Sequence, residues 1–357
     1  MELLNQRIEM IAVPDQSVEA AANERLRNQA RPAGSLGRME LLSARLAAIA
    51  GKLDVHLARK VIITCAGDHG VVAEGVSRFP QDVTPQMVYN FVTGGAAISV
   101  LARHAGAEVR VADVGVKWDF EPDLPIFHKK IAKGTANLAR GPAMRRDEAV
   151  ASIKAGIAIV DELVAEAPVD LIGTGDMGIG NTTPSSAIIA AFSGLPVADL
   201  TGRGTGVDDE GLHRKIKAIE NGLVVNKPDP SDPIDVLAKV GGFEIGALGG
   251  LVIGAAARGI PIVCDGLIST AGALIACELA PAARAYLFAG HRSQEIGHSF
   301  MHERLGLKPI LDLGFRLGEG TGAAMAMEVM DAATRVLADI KTFEEVGIID
   351  ASRKEDQ

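Results

Sequence analysis

The 357-residue chain has few cysteines, few aromatic residues and no excess of basic residues. Its three cysteines, Cys65, Cys264 and Cys277, lie in or beside apolar runs without metal-ligand spacing, so we expect buried thiols and not disulfides or a zinc site. The net charge of -9, with no basic stripe, argues against a nucleic-acid partner. No apolar run is long enough to cross a membrane, and the first residues lack the pattern of a signal peptide. We therefore expect a cytoplasmic protein with no membrane segment.

The apolar residues predict the fold class. They make up 48% of the chain, with 40 glycines and only 4% aromatics, which suits a sheet of small and β-branched residues under closely packed helices. Continuous apolar runs indicate strands buried on both faces, as in a parallel sheet. The predicted strands are 61–65, 109–116, 169–173, 197–200, 261–264, 285–288 and 309–313; the predicted helices are 17–28, 38–52, 147–166, 185–192, 233–258, 270–279 and 321–340. We expect an open, mainly parallel α/β sheet flanked by helices, Rossmann-like in architecture.

Polar, glycine-rich segments follow most of these predicted strands. They cover 66–70, 173–183, 201–206, 265–266, 290–293 and 318–320. In open parallel sheets, ligands bind just beyond the carboxyl ends of the strands. One such loop is often an ordinary tight connection, but six at the same edge predict a binding site.

Two of these loops suit a phosphate. The segment 178–183 precedes Pro184, a residue favoured in a first helical turn, and its N–H groups and threonine hydroxyls can surround an anion. The segment 202–206 is a second such turn, and Lys215 follows it with a mobile ammonium. Neither loop has the Walker pattern, and the first strand lacks the dinucleotide fingerprint. A single phosphate on a small ligand therefore fits better than ATP or NAD.

Glu319 is a lone acid between two glycines where a helix begins. An acid at an anion-binding turn would repel the anion, so its presence there indicates a chemical role. The alternative is that Glu319 is an ordinary first-turn residue, because glutamate is common in that position. Metal ligation by Asp68, His69, His291 and His298 is disfavoured, because the six residues between the last two do not place them on one helical face. We expect no metal, with Asp68, His69 and His291 bonded to loop backbone.

Several long segments resemble the nicotinate-nucleotide:dimethylbenzimidazole phosphoribosyltransferase family, in order from about residue 20 to 345. They are Gly34-Ser35-Leu36-Gly37-Arg38, Ala66-Gly67-Asp68-His69-Gly70-Val71, Gly75-Val76-Ser77 with Val83-Thr84 and Gln86-Met87, Gly178-Ile179-Gly180-Asn181-Thr182-Thr183, Gly290-His291-Arg292-Ser293 and Arg316-Leu317-Gly318-Glu319-Gly320-Thr321-Gly322-Ala323.

The resemblance implies an enzyme of cobalamin lower-ligand assembly. It would transfer ribose 5-phosphate from nicotinate mononucleotide to a benzimidazole, giving α-ribazole 5'-phosphate and nicotinate, as a homodimer without a cofactor. It also implies a small helical lobe built from both chain ends. We expect residues 1–59 and 321–357 to form that lobe, 60–320 to form the large α/β domain, and the charged tail 350–357 to be frayed.

The resemblance also implies roles for individual residues. Glu319 is the general base, with a pKa raised by partial burial against Phe315 and Leu317. Asp176 is the second catalytic residue and contacts the ribose. The residues that bind the phosphate and ribose are Gly178, Gly180, Asn181, Thr182, Gly202, Gly204 and Lys215. Ser293 and Gly320 bind nicotinate. The residues that bind the benzimidazole are Ser77, Phe79, Pro80, Gln86, Met177, Phe315 and Leu317.

Two residues depart from the pattern of that family, and two functional alternatives compete with it. Asp176 stands where Glu is common, and Phe315 where Met is common; for Phe79 and Phe315, plain core packing is the alternative to ligand contact.

A non-catalytic nucleotide-binding protein would be marked by loss of Glu319, which is present. An NAD-dependent dehydrogenase of the same architecture is weakened by the missing dinucleotide fingerprint.

Overall fold

Six parallel strands form a single sheet in the computed structural model, which describes residues 1–349. They are β1 (Lys60–Gly67), β2 (Ala107–Gly115), β3 (Phe127–His128), β4 (Leu171–Met177), β5 (Ile262–Cys264) and β6 (Leu287–Ala289). Their order is β3-β2-β1-β4-β5-β6, and every neighbouring pair is parallel. The order reverses between β1 and β4, which is where open α/β sheets form a crevice. The predicted fold class is confirmed.

Helices cover both faces of this sheet. They are α1 (Glu2–Glu9), α2 (Gln16–Asn28), α3 (Arg38–Ala50), α4 (Val83–Val92), α5 (Ala97–His104), α6 (Arg146–Glu166), α7 (Thr182–Ser193), α8 (Val197–Leu200), α9 (Asp209–Asn226), α10 (Pro233–Val240), α11 (Phe243–Ala257), α12 (Leu267–Leu279), α13 (Gly297–Leu305), α14 (Thr321–Asp339) and α15 (Phe343–Val346). Short 3₁₀ turns span Gly70–Glu74 and Pro281–Tyr286. Over residues 1–349, no helix has the length and hydrophobicity that crossing a membrane requires.

Two apolar clusters meet at the sheet. Along β1, Ile63 and Cys65 face the cluster with α6, α11 and α12, whereas Ile62 and Ala66 face the cluster with α3 and α14. This alternation buries both faces of the strand. The first cluster is tight because α11 crosses α6 at glycines, and a Cβ at Gly156 would overlap the Ala247 carbonyl oxygen.

The two ends of the described chain pack together. α2 and α3 contact α14, and the Ser43 hydroxyl donates to the Ala333 carbonyl at 2.6 Å. The Gln29 amide donates to the Val336 carbonyl at 2.6 Å, and Gln29 also forms an antiparallel bridge with Thr342. The division into 1–59, 60–320 and 321–357 stays a prediction, and the tail 350–357 lies outside the described residues.

Three predicted elements differ from the structure. Residues 197–200 were expected to be a strand but form the short helix α8. Four mainly apolar residues are too few for their periodicity to distinguish a buried strand from a buried helix. Within residues 1–349, the segment 309–313 makes one bridge, between Leu311 and His291, before Gly314 turns away with φ +69°. The helix predicted over 233–258 is interrupted at 241–242, so α10 and α11 are separate.

Candidate active site

Glu319 lies in a backbone turn that side chains other than glycine rarely adopt. Gly318, Glu319 and Gly320 have positive φ values of 86°, 64° and 104°. Within residues 1–349, Lys227 is the only other non-glycine residue with positive φ. Such conformations typically cost about 1–3 kcal/mol and persist where surrounding contacts impose them. The acid that the sequence singled out is therefore held in a strained turn.

The ends of β1 and β4 hold this turn in place. The Glu319 N–H donates to the carbonyl oxygen of Asp176 at 3.2 Å, and the Thr64 hydroxyl donates to the Glu319 carbonyl at 2.9 Å. A Cβ at position 175 would overlap the Glu319 carbonyl oxygen, so glycine is needed there. The sheet thus sets the direction in which the Glu319 side chain projects.

The Glu319 side chain ends against the N-terminus of α5. The residue is 6% exposed, and its Oε2 accepts the Ile98 N–H at 3.2 Å. Burial raises the pKa of Glu319, the Ile98 hydrogen bond lowers it in part, and the nearby charge of Asp265 raises it. Of the two neighbours expected from the sequence, Leu317 lines the same cavity as Glu319, whereas the Phe315 ring packs 5.7 Å from the ring of His291.

Asp176 is a second buried acid beside Glu319. Its Oδ2 accepts the side-chain N–H of Asn181 at 2.9 Å. Its Oδ1 is buried and has no hydrogen-bond partner in the part of the chain that the structure describes. Burial raises the pKa of Asp176 well above its usual range, and the carboxylates of Asp265, Glu244 and Glu319 raise it further. An unpaired buried oxygen of this kind can accept a hydrogen bond from a bound water or ligand.

A mainly apolar cavity of about 320 Å³ opens beside these two acids. It is lined by Val76, Ser77, Phe79, Val83, Met87, Asp176, Met177, Gly178, Ile179, Gly180, Asn181, Thr182, Thr205, Leu317 and Glu319. Phe79 and Leu317 are 47% and 58% exposed, which places them at the rim and argues against core packing for Phe79. The apolar cavity therefore places two carboxylates beside apolar side chains and a glycine-rich loop.

Most of the residues that the sequence assigned to the benzimidazole lie around this apolar cavity. Ser77, Phe79, Met177 and Leu317 line it, whereas Pro80, Gln86 and Phe315 do not. Gln86 is exposed on α4, and the lining residues from that helix are Val83 and Met87. Sequence reasoning missed this pair, although their spacing of four residues would have placed both on one face of a helix.

The predicted phosphate loop lies at the N-terminus of α7. Gly178, Gly180, Asn181 and Thr182 line the apolar cavity, and α7 begins at Thr182. The backbone closes tightly here, because a Cβ at Gly178 would overlap the carbonyl oxygen of Gly67. A helix N-terminus presents N–H groups and the positive end of the helix dipole to an anion.

Lys215 reaches this loop from α9, but it is not the mobile side chain that the sequence suggested. It is fully buried, and its ammonium donates to the Thr182 hydroxyl at 2.7 Å and to the Gly202 carbonyl at 3.1 Å. Burial lowers the pKa of Lys215 to about 8, and the charge of Glu295 opposes that change. The cation is thus held in position before any phosphate binds.

The second glycine-rich turn is occupied by an acid that sequence reasoning missed. The Gly204 N–H donates to Glu295 Oε1 at 2.9 Å, and a Cβ at Gly202 would overlap Glu295 Oε2. Gly204 lines a smaller cavity of about 60 Å³, named the polar cavity because most of its lining residues are of polar types, and this cavity shares Asp176 and Asn181 with the apolar cavity. It therefore lies near the first loop as predicted, but its N–H already has a partner.

The two residues predicted to bind nicotinate do not line the same cavity. Ser293 lines the polar cavity together with His291 and Glu295, whereas Gly320 does not. The Gly320 N–H instead donates to Asp265 Oδ2 at 3.1 Å. Both ring nitrogens of His291 are buried and lack a hydrogen-bond partner among residues 1–349. His291 is therefore a further candidate for ligand contact.

Three of the four residues considered for metal binding, Asp68, His69 and His298, have protein partners, whereas the ring nitrogens of His291 have no hydrogen-bond partner among residues 1–349. Asp68 accepts the Thr84 hydroxyl at 2.8 Å and the Lys117 N–H at 2.9 Å, and His69 lies 2.7 Å from Glu244. His298 contacts the hydroxyl of Thr270 at 2.8 Å and accepts the Ser293 N–H at 3.0 Å. Across the described residues, no three His, Cys, Asp or Glu side chains are grouped as a metal site would require. Asp68 thus bonds to loop backbone, at Lys117, as expected. That expectation is wrong for His69, which pairs with the side chain of Glu244, and for His291, whose ring makes no such bond within residues 1–349.

Comparison with known proteins decides the family. The sequence profile of a phosphoribosyltransferase family matches residues 11–348. A nicotinate-nucleotide–dimethylbenzimidazole phosphoribosyltransferase from Syntrophobacter fumaroxidans is 58% identical over 350 residues, which cover 98% of this chain and 99% of that protein. The chain belongs to the nicotinate-nucleotide–dimethylbenzimidazole phosphoribosyltransferase family. The predicted resemblance is confirmed.

Further relatives of this phosphoribosyltransferase family agree. The protein of that name from Geobacter sp. (strain M21) is 58% identical over 348 residues, 98% of this chain and 99% of its own. A crystal structure of the Thermus thermophilus phosphoribosyltransferase superposes with a TM-score of 0.89 at 44% identity, covering 94% of this chain and all of that one. The family fold therefore extends over nearly the whole chain.

Proposed function

We propose that this chain transfers ribose 5-phosphate from nicotinate mononucleotide to 5,6-dimethylbenzimidazole or a related base. The products are α-ribazole 5'-phosphate and nicotinate, a step in cobalamin biosynthesis. The observation that carries the proposal is the position of Glu319: a buried carboxylate in a rigid turn, facing an apolar slot that ends at a helix N-terminus suited to a phosphate.

The reaction gives Glu319 a definite task. The incoming base attacks C1' of the ribose with one ring nitrogen, and the C1'–N bond to nicotinate breaks with its electron pair passing to the pyridine nitrogen. The other benzimidazole nitrogen loses its proton to Glu319. Attack opposite the leaving group inverts the β-nucleotide to an α-product. A raised carboxyl pKa suits this role, because it makes Glu319 a stronger base.

Asp176 would contact the ribose. Its unpaired, buried Oδ1 supports this role, since a ribose hydroxyl would supply the missing donor. The sugar gains positive charge as the glycosidic bond breaks, and this charge would favour the ionised form of the Asp176 carboxyl against its raised pKa. Fixed carboxylates near such a charge stabilise the transition state without having to reorganise.

The phosphate would bind at the start of α7. The support is the clustering of Gly178, Gly180, Asn181 and Thr182 with the ammonium of Lys215. Nicotinate would then lie towards the polar cavity with Ser293, and the benzimidazole between Met177, Leu317 and Phe79. The same resemblance supports a homodimer in the cytoplasm, which light scattering of the purified protein would test for oligomeric state.

The direct test is a reaction of pure protein with nicotinate mononucleotide and 5,6-dimethylbenzimidazole. Chromatography should show nicotinate and a riboside phosphate appearing in equal amounts. Nicotinate released without the benzimidazole would indicate hydrolysis instead of transfer. Unchanged nucleotide after prolonged incubation would contradict the proposed function.

A further inference from the structure

Asp265 is a buried acid that contacts the Glu319 turn but takes no part in the proposed reaction. It follows β5 and is fully buried. Its Oδ2 accepts the Gly320 N–H at 3.1 Å, and its Oδ1 accepts the N–H groups of Gly322 at 2.6 Å and Ala323 at 3.1 Å. One carboxylate thus binds three of the four backbone N–H groups that follow Glu319.

These contacts differ from an ordinary helix cap. A capping side chain usually comes from the residue just before the helix. For α14 that residue is Gly320, which has no side chain, and the carboxylate comes from a strand end 55 residues away in sequence. Asp265 therefore does more than cap the N-terminus of α14, because it also connects the Glu319 turn to the sheet.

We propose that Asp265 is the positioning residue for Glu319: it imposes the left-handed turn that aims the base and does not itself touch the reacting atoms. The inference rests on the proposed role of Glu319. A strained residue at φ +64° relaxes unless its neighbours are fixed. Thr64 and Asp176 fix the turn from the side of β1 and β4, and Asp265 fixes it from β5.

The charge of Asp265 gives a second readout. The groups around Glu319 are Asp176 on β4, Asp265 after β5 and the neutral Ile98 N–H of α5, and His291 Nε2 lies 3.6 Å from Asp265 Oδ1. The Asp265 carboxylate contributes to the raised pKa of Glu319. Removing it should shift the acidic limb of the pH–kcat profile to lower pH, an effect that loss of structure alone would not cause.

Asp265→Asn is the first variant. Its amide nitrogen must face at least one backbone N–H, so at least one hydrogen bond is lost while size is kept. We expect kcat to fall roughly 10–100-fold, as for a slightly misplaced catalytic group, with KM for nicotinate mononucleotide unchanged. The matched control is Asp232→Asn, which removes an acid that accepts the N–H groups of Ile234 and Asp235 at the start of α10. The control should change neither kcat nor the pH profile.

The double variant Asp265→Asn/Glu319→Gln decides the matter. If Asp265 acts through Glu319, the double variant turns over as slowly as Glu319→Gln alone. Losses that multiply, or an Asp265→Asn protein with the parent's kcat and pH profile, overturn the inference. A fully active Glu319→Gln would instead overturn the proposed base. If Asp265→Asn does not fold, Asp265→Glu replaces it. This variant keeps the charge but shifts the carboxylate oxygens, so kcat should fall without a shift of the pH profile. A kcat equal to that of the parent would contradict the inference.

Discussion

The backbone N–H of Glu319 donates to the backbone carbonyl of Asp176 at 3.2 Å, while the two side chains line the same cavity. One backbone hydrogen bond therefore joins the proposed base directly to the proposed ribose contact, between the end of β4 and the turn before α14. Each acid is buried, and the charge of Glu319 contributes to the raised pKa of Asp176. Their spacing is set by backbone, so substitution of one side chain should leave the other in place.

Lys215→Met should weaken nicotinate mononucleotide binding while leaving benzimidazole binding unchanged. Methionine keeps the packing of the buried stem but removes the ammonium that contacts Thr182. A charge-assisted contact is worth about 1.5–3 kcal/mol, so affinity should fall roughly 10–100-fold. Calorimetry would measure both ligands, with Lys217→Met on the exposed side of α9 as the control. Equal nucleotide affinity in the two variants would show that Lys215 does not contribute to phosphate binding.

Nucleotide affinity should also fall above pH 8. Burial lowers the pKa of Lys215 to about 8, so at higher pH the ligand-free enzyme carries a neutral amine that must take up a proton when phosphate binds. The dissociation constant for nicotinate mononucleotide should then rise roughly tenfold per pH unit. The Lys215→Met protein should lose this dependence. A constant affinity of the parent from pH 7 to pH 10 would contradict the assignment.

Met87→Ala should raise KM for the benzimidazole and leave KM for the nucleotide unchanged. Met87 lines the apolar cavity from α4, and truncation removes apolar contact with a flat ligand. The neighbouring Gln86 is exposed and outside the lining, so Gln86→Ala tests whether it reaches the acceptor as the sequence suggested. Steady-state kinetics of both variants should show the larger effect for Met87. The reverse order would assign the contact to Gln86.

Catalysis should need no metal ion. The leaving pyridinium already carries positive charge, and the transferred sugar bears one phosphate and no diphosphate for Mg²⁺ to bridge. Backbone N–H groups at 178–183 and Lys215 can carry the phosphate charge. Turnover should survive exhaustive dialysis against EDTA and should not rise with added Mg²⁺ or Zn²⁺. Loss of activity with EDTA and its recovery with one ion would return Asp68, His69 and His291 to consideration as ligands.

The architecture could be predicted from the sequence because strands buried on both faces consist of continuous apolar runs, which are visible in the composition alone. Continuous apolar runs such as 61–65 and 109–116 became β1 and β2. A four-residue run such as 197–200 has too little length for periodicity to separate strand from helix, and it became α8. Likewise 309–313 has apolar residues but, within residues 1–349, only one partner bridge, since Gly314 turns the chain away.

The candidate site was predictable only where its residues lie in loops at the strand ends. Parallel strands bring those ends to one edge, which is how Glu319 and the loop 178–183 came together. Asp265 and Glu295 escaped prediction because their partners lie 55 and 91 residues away in sequence. No local pattern distinguishes an acid that binds a distant backbone N–H from one that faces solvent.

The most direct test of the account is turnover of Glu319→Gln. The amide keeps the size of the side chain and can still accept the Ile98 N–H, but it cannot take a proton from the benzimidazole. General bases contribute roughly 10²–10⁴-fold, so kcat should fall by that factor while nucleotide affinity is kept. Glu328→Gln removes the same charge elsewhere on α14 and should retain activity. A Glu319→Gln protein that turns over within a few-fold of the parent would contradict the central claim that Glu319 is the base.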